Sequence, residues 1–539
     1  MLSVAEKVSE EPDVIISINP SDETELGRVI ADDRTGVDEV VARAGQAFKS
    51  WSMSTMEERR RLLQRLQQEI VRDKLVIAEL ISREQGKPVA EAIAAEVVPV
   101  LAILKELRHR APRQLRDERV ANEMILFSHK KSGYRFVPHG VLVVISPWNF
   151  PFSVAVPEIA AALIAGNTVV FKPAPHSVLV GKKIEQLFIQ AGFPQDVMNV
   201  VYLQDSDAPY LTEHPGVNKI IFTGSTAVGC KVMTSAAKTV KPVVLELGGK
   251  DPAIVAADAD LERAARGIVW GAMFTSGQVC ASVERVYVEK PVAERFIQAC
   301  LDEIAKLRVG DPLDEGVDIG PISTRSQLEK VKDQVEDAIA RGAVLRCGGR
   351  RIGDRGYFFQ PTLLTEVNHT MKVMTEETFG PILPIMVVQS LDEAIRLANE
   401  CEYGLSAFGW TSNRATAKRL MRELYAGTVL INDSTMTWGE PSAPWVGFKH
   451  SGIGLTRSRF GLLEMVQIKY VSYDPGGNER NLWWFPYDNG KNLFAAACDL
   501  LYRPLSVAKL NGLKTLLTSR RFVTSVHWPT IIKNLHRIF

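Results

Sequence analysis

The chain predicts an α/β protein built on parallel sheet, and three observations carry that expectation. Short apolar runs alternate with helical stretches through the middle of the sequence, the pattern of a parallel sheet covered on both faces. Each of those runs ends in a polar or glycine-bearing turn, at the carboxyl edge where ligands bind in such sheets. The length of 539 residues exceeds one ordinary core and suits two or three packed domains.

Composition narrows the function classes. With 46% hydrophobic and 24% charged residues, and 64 Lys and Arg against 63 Asp and Glu, the chain is neither disordered nor collagenous, and its net charge of +1 gives no pull toward nucleic acid. Six cysteines stand at 230, 280, 300, 347, 401 and 498, with no C-x-x-C pair and no His-x-His spacing. That argues against a zinc site and a disulfide scaffold, so no metal is expected and the compartment should be reducing. Residues 1–12 are acidic and lack the apolar core of a secretory signal. No long uninterrupted apolar stretch predicts a membrane-spanning helix. Cytoplasmic location is the expectation.

Taken in order, residues 37 to 108 have helical periodicity and read as packing helices with little chemistry. Tyr134-Arg135-Phe136-Val137 and Val141-Leu142-Val143-Val144, separated by Pro138-His139-Gly140, read as a hairpin or strand pair. Then come strand and turn units: 141–145 into Ser146-Pro147-Trp148-Asn149, 168–171 into Lys172-Pro173, 219–222 into Thr223-Gly224-Ser225, and 243–247 into Gly248-Gly249-Lys250. A second strand and helix series from about 251 to 461, with strands near 285–288, 382–388 and 428–432, predicts a second α/β domain facing the first across a cleft.

Four places carry chemistry. Cys280, in Gly277-Gln278-Val279-Cys280, offers a nucleophile whose attack on a carbonyl creates an oxyanion; for a lone cysteine the plainer alternative is an inert buried hydrophobe. Glu246, in Leu245-Glu246-Leu247-Gly248-Gly249, ends an apolar strand. It is either a desolvated general base or a solvent-exposed strand end. Asn149, in Pro147-Trp148-Asn149-Phe150-Pro151, is an oxyanion donor or a helix cap. The turn Phe222-Thr223-Gly224-Ser225-Thr226 opens a helix whose free N–H groups suit a phosphate, although it is not the G-x-G-x-x-G fingerprint.

In that order, P-W-N-F-P with Asn149, N-T-V-V-F-K-P with Lys172, F-T-G-S-T-x-x-G, L-E-L-G-G-K with Glu246, G-Q-V-C with Cys280 and E-E-T-F-G-P at 376–381 resemble the NAD(P)-dependent, non-phosphorylating aldehyde dehydrogenase superfamily over roughly residues 13 to 475. The resemblance implies oxidation of an aldehyde to a carboxylic acid with reduction of NAD or NADP. In that scheme Cys280 forms the thiohemiacetal, Asn149 and the Cys280 N–H hold its oxyanion, and Glu246 activates the water that hydrolyses the thioester. Lys172 corresponds to the contact with the adenosine ribose, Gly224 and Ser225 with Trp148 to the pyrophosphate site, Glu377 to the nicotinamide-ribose ligand and Phe379 to a residue beside the nicotinamide. Asn432 matches a supporting position.

The same resemblance implies a Rossmann-like NAD(P)-binding domain from 13–118 and 139–247, oligomerisation strands at 119–138 and 462–475, a catalytic domain at 248–461 and a C-terminal extension at 476–539. A homodimer or homotetramer is the expected assembly.

Three departures from the family pattern matter. Where many NAD-preferring members carry a Glu three residues after the lysine, this chain has Pro175, which neither binds a 2′-hydroxyl nor repels a 2′-phosphate, so NAD and NADP both stay open. The usual P-F-G-G appears as Pro444-Trp445-Val446-Gly447. The segment after Asn149, Phe150-Pro151-Phe152-Ser153-Val154, is apolar and favours an apolar or medium-chain aldehyde. Beyond the family's usual end, Pro475-Gly476-Gly477-Asn478 reads as a linker to a tail containing Trp483-Trp484-Phe485-Pro486-Tyr487 and a basic excess. That tail reads as a packing segment, with peripheral contact to an anionic membrane surface as the alternative. Rival functions are a CoA-acylating or semialdehyde-reducing member, or a silent scaffold; Glu246 favours hydrolysis and leaves CoA open, while intact Cys280, Glu246 and Asn149 argue against the scaffold.

Overall fold

Val141–Ile145 is apolar and buried at every position, as a central parallel strand covered on both faces requires. Thr168–Lys172 and Lys219–Thr223 flank it in parallel register, with Val143 opposite Val170 on one side and Ile220 on the other. The computed structural model describes residues 13–124, 127, 129–476 and 481–533. In it, these strands belong to a six-stranded sheet ordered Gly452–Ile453, Val243–Glu246, Lys219–Thr223, Val141–Ile145, Thr168–Lys172, Met198–Val200, antiparallel only at its first member. The chain runs outward from Val141–Ile145 in one direction, then returns to build outward in the other. The crevice between Val141–Ile145 and Lys219–Thr223 is therefore the topological switch point, where doubly wound sheets bind ligands. Helix Arg34–Trp51 closes one face of this sheet, setting Val37, Val40, Val41 and Ala44 against Val143 and Ile220.

The second sheet has seven strands in the order Val344–Cys347, Thr362–Thr365, Ile382–Val388, Arg285–Glu289, Pro252–Val255, Ser406–Trp410, Thr428–Ile431, parallel except for the first. One face packs on helices Leu261–Met273 and Ala293–Ile304 through Ile268, Phe296 and Phe408. The other packs on Arg325–Ala340 and Leu391–Asn399 through Val331, Ile395 and Tyr287. The α/β class expected from alternating strands and helices holds.

The expected pairing of 134–137 with 141–144 does not occur. Lys131–Pro138 lies in a separate three-stranded sheet between Glu118–Val120 and Val466–Tyr473. The connection cannot fold back because its N–H groups are engaged elsewhere: those of His139 and Gly140 donate to Asn167 Oδ1 at 2.7 and 3.2 Å, and that of Val141 to Asn218 Oδ1 at 2.8 Å. Asn167 is fully buried, and its amide donates onward to the carbonyls of Ala162 and Met465.

Residues up to 114 and 138–466 form one compact unit; residues 115–137 and those from 467 onward form a second. Within the second, Lys130 pairs with Asp474 at 2.8 Å, and the Phe127 ring meets Trp483 edge-on at 4.7 Å. The tail folds as helices Gly490–Tyr502 and Val507–Thr518, interrupted at Arg503-Pro504 where proline ends helical pairing. They enclose a small core of Leu482, Leu493, Ala496, Ala497, Leu500, Leu516, Phe522 and Val526. No helix among the described residues is long and apolar enough to cross a membrane. The acidic start, residues 1–12, and the part of the linker at 477–480 lie outside the described residues.

Candidate active site

Cys280 follows three consecutive residues in the left-handed region, Thr275, Ser276 and Gly277, with φ of 53°, 55° and 71°. Such a run is costly for side-chain-bearing residues and persists only where surroundings over-determine it. Here they do. Thr275 N–H donates to Glu91 Oε2 at 3.0 Å, Ser276 Oγ to the Gly320 carbonyl at 2.8 Å, and the fully buried Gln278 is fixed at both ends of its amide by Thr275 O and Ser323 N. A Cβ at Gly277 would stand 2.1 Å from the Gly380 carbonyl, so only glycine lets the Cys280 loop lie on the 376–381 stretch. Cys280 itself is half-buried and packs with Ala281, Leu405 and Trp445.

Asn149 leaves the end of Val141–Ile145 and is 5% exposed. It does not cap a helix, since the next one begins at Ala155. Instead its Nδ2 donates to the Gln278 carbonyl at 2.9 Å, two residues before Cys280. Its own carbonyl accepts from Lys87 Nζ at 2.8 Å, and Lys87 pairs with Glu96 at 2.7 Å, both side chains sealed from solvent. Glu96 Oε2 takes the N–H groups of Phe152 and Ser153, and Lys87 lies 3.7 Å from the centre of the Phe150 ring. One buried ion pair thus fixes the whole 149–153 turn. Glu96 sits in a single π-helical segment, Ala92–Val97, of the kind often found at functional sites.

Glu246 ends its strand 3% exposed, which removes the solvent-exposed reading. Thr456 Oγ1 donates to its Oε1 at 3.2 Å; its Oε2 has no hydrogen-bond partner among the described residues. The two glycines after it serve close approach. A Cβ on Gly248 would lie 2.6 Å from Glu377 Oε1, and one on Gly249 would lie 2.6 Å from the Cys280 carbonyl. Gly249 N–H donates to Glu377 Oε1 at 3.0 Å. A second sealed pair, Lys250–Glu284 at 2.7 Å, holds the loop opposite: Glu284 accepts from Thr378 and Phe379 N–H, and Lys250 donates to Thr378 Oγ1.

These loops enclose a cleft of about 770 Å³, mouth included, at the switch point. Trp148, Asn149, Gly224, Ser225, Cys280, Glu377 and Phe379 all line it. Trp148 and Phe379 meet edge-to-face at 5.5 Å, and Ser225 caps helix Thr226–Ala237 through Val228 N–H. Glu246 is not among the lining residues. Lys172, 2% exposed at the end of its strand, is also outside it and pairs with the exposed Asp205 at 2.9 Å. Asn432 is occupied with both backbone groups of Thr411.

The electrostatics are those of an acidic pocket. Burial, then the charges of Asp251, Glu377 and Glu246, push the Cys280 thiol far up. Burial, then Glu158, pushes Glu246 well above the carboxylate range. Burial, then Glu284, lifts Glu377 to about 7.

Reading residues 37–108 as carrying little chemistry missed Lys87, Glu91 and Glu96. The available signal was the placing of Glu84, Lys87, Glu91 and Glu96 around Gly86 and Pro88, where the helical pattern breaks.

The family model for the aldehyde dehydrogenase family matches residues 7–471. The chain is 35% identical over 484 residues to a peroxisomal aminoaldehyde dehydrogenase of Pisum sativum, covering 88% of this chain and 94% of that one. Among solved structures, an NAD-dependent aldehyde dehydrogenase from Sinorhizobium meliloti superimposes with a TM-score of 0.84 at 35% identity, covering 88% of this chain and 93% of that one. An NADP-dependent enzyme of E. coli does so with 0.83 at 33%, covering 86% and 95%.

Replacing Lys87 with Met leaves Glu96 buried with only its two backbone donors. Loss of one member of a sealed pair should lower unfolding stability by about 3 kcal/mol, read as a shifted urea midpoint. An unchanged midpoint would show that the pair does not hold the Asn149 turn.

Proposed function

The chain belongs to the aldehyde dehydrogenase family, and on that premise we propose that it oxidises an aldehyde to the carboxylic acid through a thioester on Cys280. The family chemistry is NAD(P)-dependent aldehyde oxidation; the observation that carries the residue roles is the convergence of Cys280, Asn149 and Glu377 on one cleft with Glu246 buried beside it.

The cleft's donor set fits a dinucleotide. The start of helix Thr226–Ala237, capped by Ser225, presents N–H groups and a positive dipole end to a pyrophosphate. Glu377 supplies a carboxylate for ribose hydroxyls, and glycine at 248 leaves room beside it. Trp148 and Phe379 supply flat walls. When bound, NAD(P)+ accepts the hydride released as the thiohemiacetal becomes a thioester.

The chain's own residues do the rest. The Cys280 sulfur attacks the aldehyde carbon, its proton passing to a buried carboxylate, and the carbonyl oxygen becomes an oxyanion. Asn149 has committed one amide hydrogen to Gln278 and keeps the second for that oxyanion, where a fixed dipole is worth more than in water. Glu246, once ionised, takes a proton from water as the water oxygen bonds the acyl carbon and the C–S bond breaks. Phe150, Val154 and Trp445 make the surroundings apolar and support an apolar or medium-chain aldehyde.

The Lys172–Asp205 pair bears on cofactor choice. By resemblance Lys172 reaches the adenosine ribose, and Asp205 beside it brings a negative charge that a 2′-phosphate would oppose. This supports preference for NAD. Assembly is supported by the edge strand Val466–Tyr473, which leaves Ile468, Tyr470 and Tyr473 exposed for a second copy. The tail's buried leucines and Phe522 support a packing segment rather than a lipid anchor.

Cys280→Ala should abolish aldehyde-dependent reduction of NAD(P)+, whereas Glu246→Gln should give a single burst of NAD(P)H and then stall; normal turnover by Cys280→Ala would sink the thioester route. Asp205→Ala should raise kcat/KM for NADP over NAD by about tenfold, as loss of one close like charge does, and an unaltered ratio would remove Asp205 from discrimination. Sedimented with anionic vesicles, the full chain and one ending at residue 475 should behave alike; tail-dependent pelleting would overturn the packing reading.

A further inference from the structure

Two loops meet at Cys280, and the stretch from Lys87 to Glu96 holds both. Toward the first loop, Lys87 Nζ donates to the Asn149 carbonyl at 2.8 Å, and Glu96 Oε2 accepts the N–H groups of Phe152 and Ser153. Glu91, between them in sequence, turns to the second loop. Its Oε2 accepts the Thr275 N–H at 3.0 Å and Thr275 Oγ1 at 3.3 Å. Thr275 is 1% exposed and opens the left-handed run that leads to Cys280. Ala95, on the π-helical segment, is buried against Phe150 of the first loop and against Phe274 and Val279 of the second, with the two phenyl rings 6.3 Å apart. The loops also touch each other, where Asn149 Nδ2 donates to the Gln278 carbonyl at 2.9 Å.

Resting on the Cys280 thioester reading, we propose that the 87–96 stretch sets the gap between the Asn149 amide and the Cys280 sulfur, with Glu91 the positioning residue on the cysteine side. Addition of sulfur to an aldehyde forms the S–C bond and moves the second C=O electron pair onto oxygen. The oxyanion therefore appears where the sulfur puts it, and the free Asn149 hydrogen has to be waiting there. A misplacement of about 1 Å at such a site costs about a hundredfold in rate. Thr275 and Ser276 hold a conformation that residues with side chains leave when released. Without Glu91 the Thr275 N–H loses its acceptor, the run relaxes, and the sulfur shifts against the amide. Glu91 is not among the residues lining the cleft, so it acts through Thr275 and not on substrate.

The chemistry of Glu91 suits holding rather than proton transfer. Burial lifts it to about 8, with Lys87 opposing and Asp318 adding to the rise. Near neutral pH a neutral carboxyl does the holding, and its carbonyl oxygen accepts from Thr275 as an amide oxygen would. Glutamine should therefore replace it, and alanine should not.

The test separates an addition that makes an oxyanion from a substitution that does not. Oxidation is followed as NAD(P)H formed in a single turnover with enzyme in excess over aldehyde. Alkylation is followed as the iodoacetamide adduct on the Cys280 peptide, where sulfur displaces iodide and no oxyanion forms. In Glu91→Ala, oxidation should slow by about tenfold to a hundredfold, while alkylation stays within about threefold of wild type. Glu91→Gln should bring oxidation back to within about threefold. Ala95→Val, which pushes Phe150 and Phe274 apart, should likewise slow oxidation and spare alkylation. Added to Asn149→Ala, Glu91→Ala should cost about twofold at most, because the donor that it aligns is already gone. Oxidation within about twofold of wild type in Glu91→Ala or Ala95→Val, equal losses in both reactions, a Glu91→Gln enzyme no better than Glu91→Ala, or full additivity with Asn149→Ala overturns the inference. If Cys280→Ala also forms NAD(P)H, the thioester reading falls with it; if Cys280→Ala is silent, only the role of Glu91 falls.

Discussion

Burying charge without water is the constraint on which this structure turns. Two lysine–glutamate pairs, Lys87–Glu96 and Lys250–Glu284, are closed off from solvent and hold the two loops that bracket Cys280. Neither pair is obviously stabilising in itself, since desolvating two ions offsets most of their attraction. What they contribute is position. Each carboxylate has oxygens left over, and these accept backbone N–H groups: Phe152 and Ser153 for Glu96, Thr378 and Phe379 for Glu284. Each lysine has hydrogens left over, and these reach Asn149 O and Thr378 Oγ1. Side-chain charge is thereby converted into fixed backbone, which is how an irregular loop becomes rigid enough for chemistry.

The same dryness sets the reactivity. Cys280, Glu246 and Glu377 all have their protons held more tightly than in water, chiefly by burial. A thiol in such a place is quiet at rest. On the proposed thioester route it becomes a nucleophile when a bound substrate and a local base change its surroundings. Arg457 opposes the rise at Glu246.

Much of the fold was legible because its strands are wholly apolar and its turns are marked. Val141–Ile145 and Thr168–Lys172 could be read as buried parallel strands, and the turns after them as ligand-binding edges. Glycines 248, 249 and 277 make close approaches to Glu377, Cys280 and Gly380 that were illegible, since the partners lie 31 or more residues away. The hairpin at 134–144 misled because alternation and a Pro-His-Gly turn favour it locally; Asn167, distant in sequence, takes the N–H groups that such a turn would need. Lys87, Glu96, Glu158 and Arg457 were illegible for a related reason. A charged residue is ordinarily solvated, and only the packing of elements distant in sequence reveals that it is not.

The claim that organises this account is that one cysteine among six carries the acyl group. Acid-quenching the enzyme during steady turnover, digesting it and locating the added acyl mass tests this directly. The account predicts the adduct on the peptide containing Cys280 and on no other cysteine. An adduct elsewhere, or turnover with no acylated cysteine at all, would contradict it.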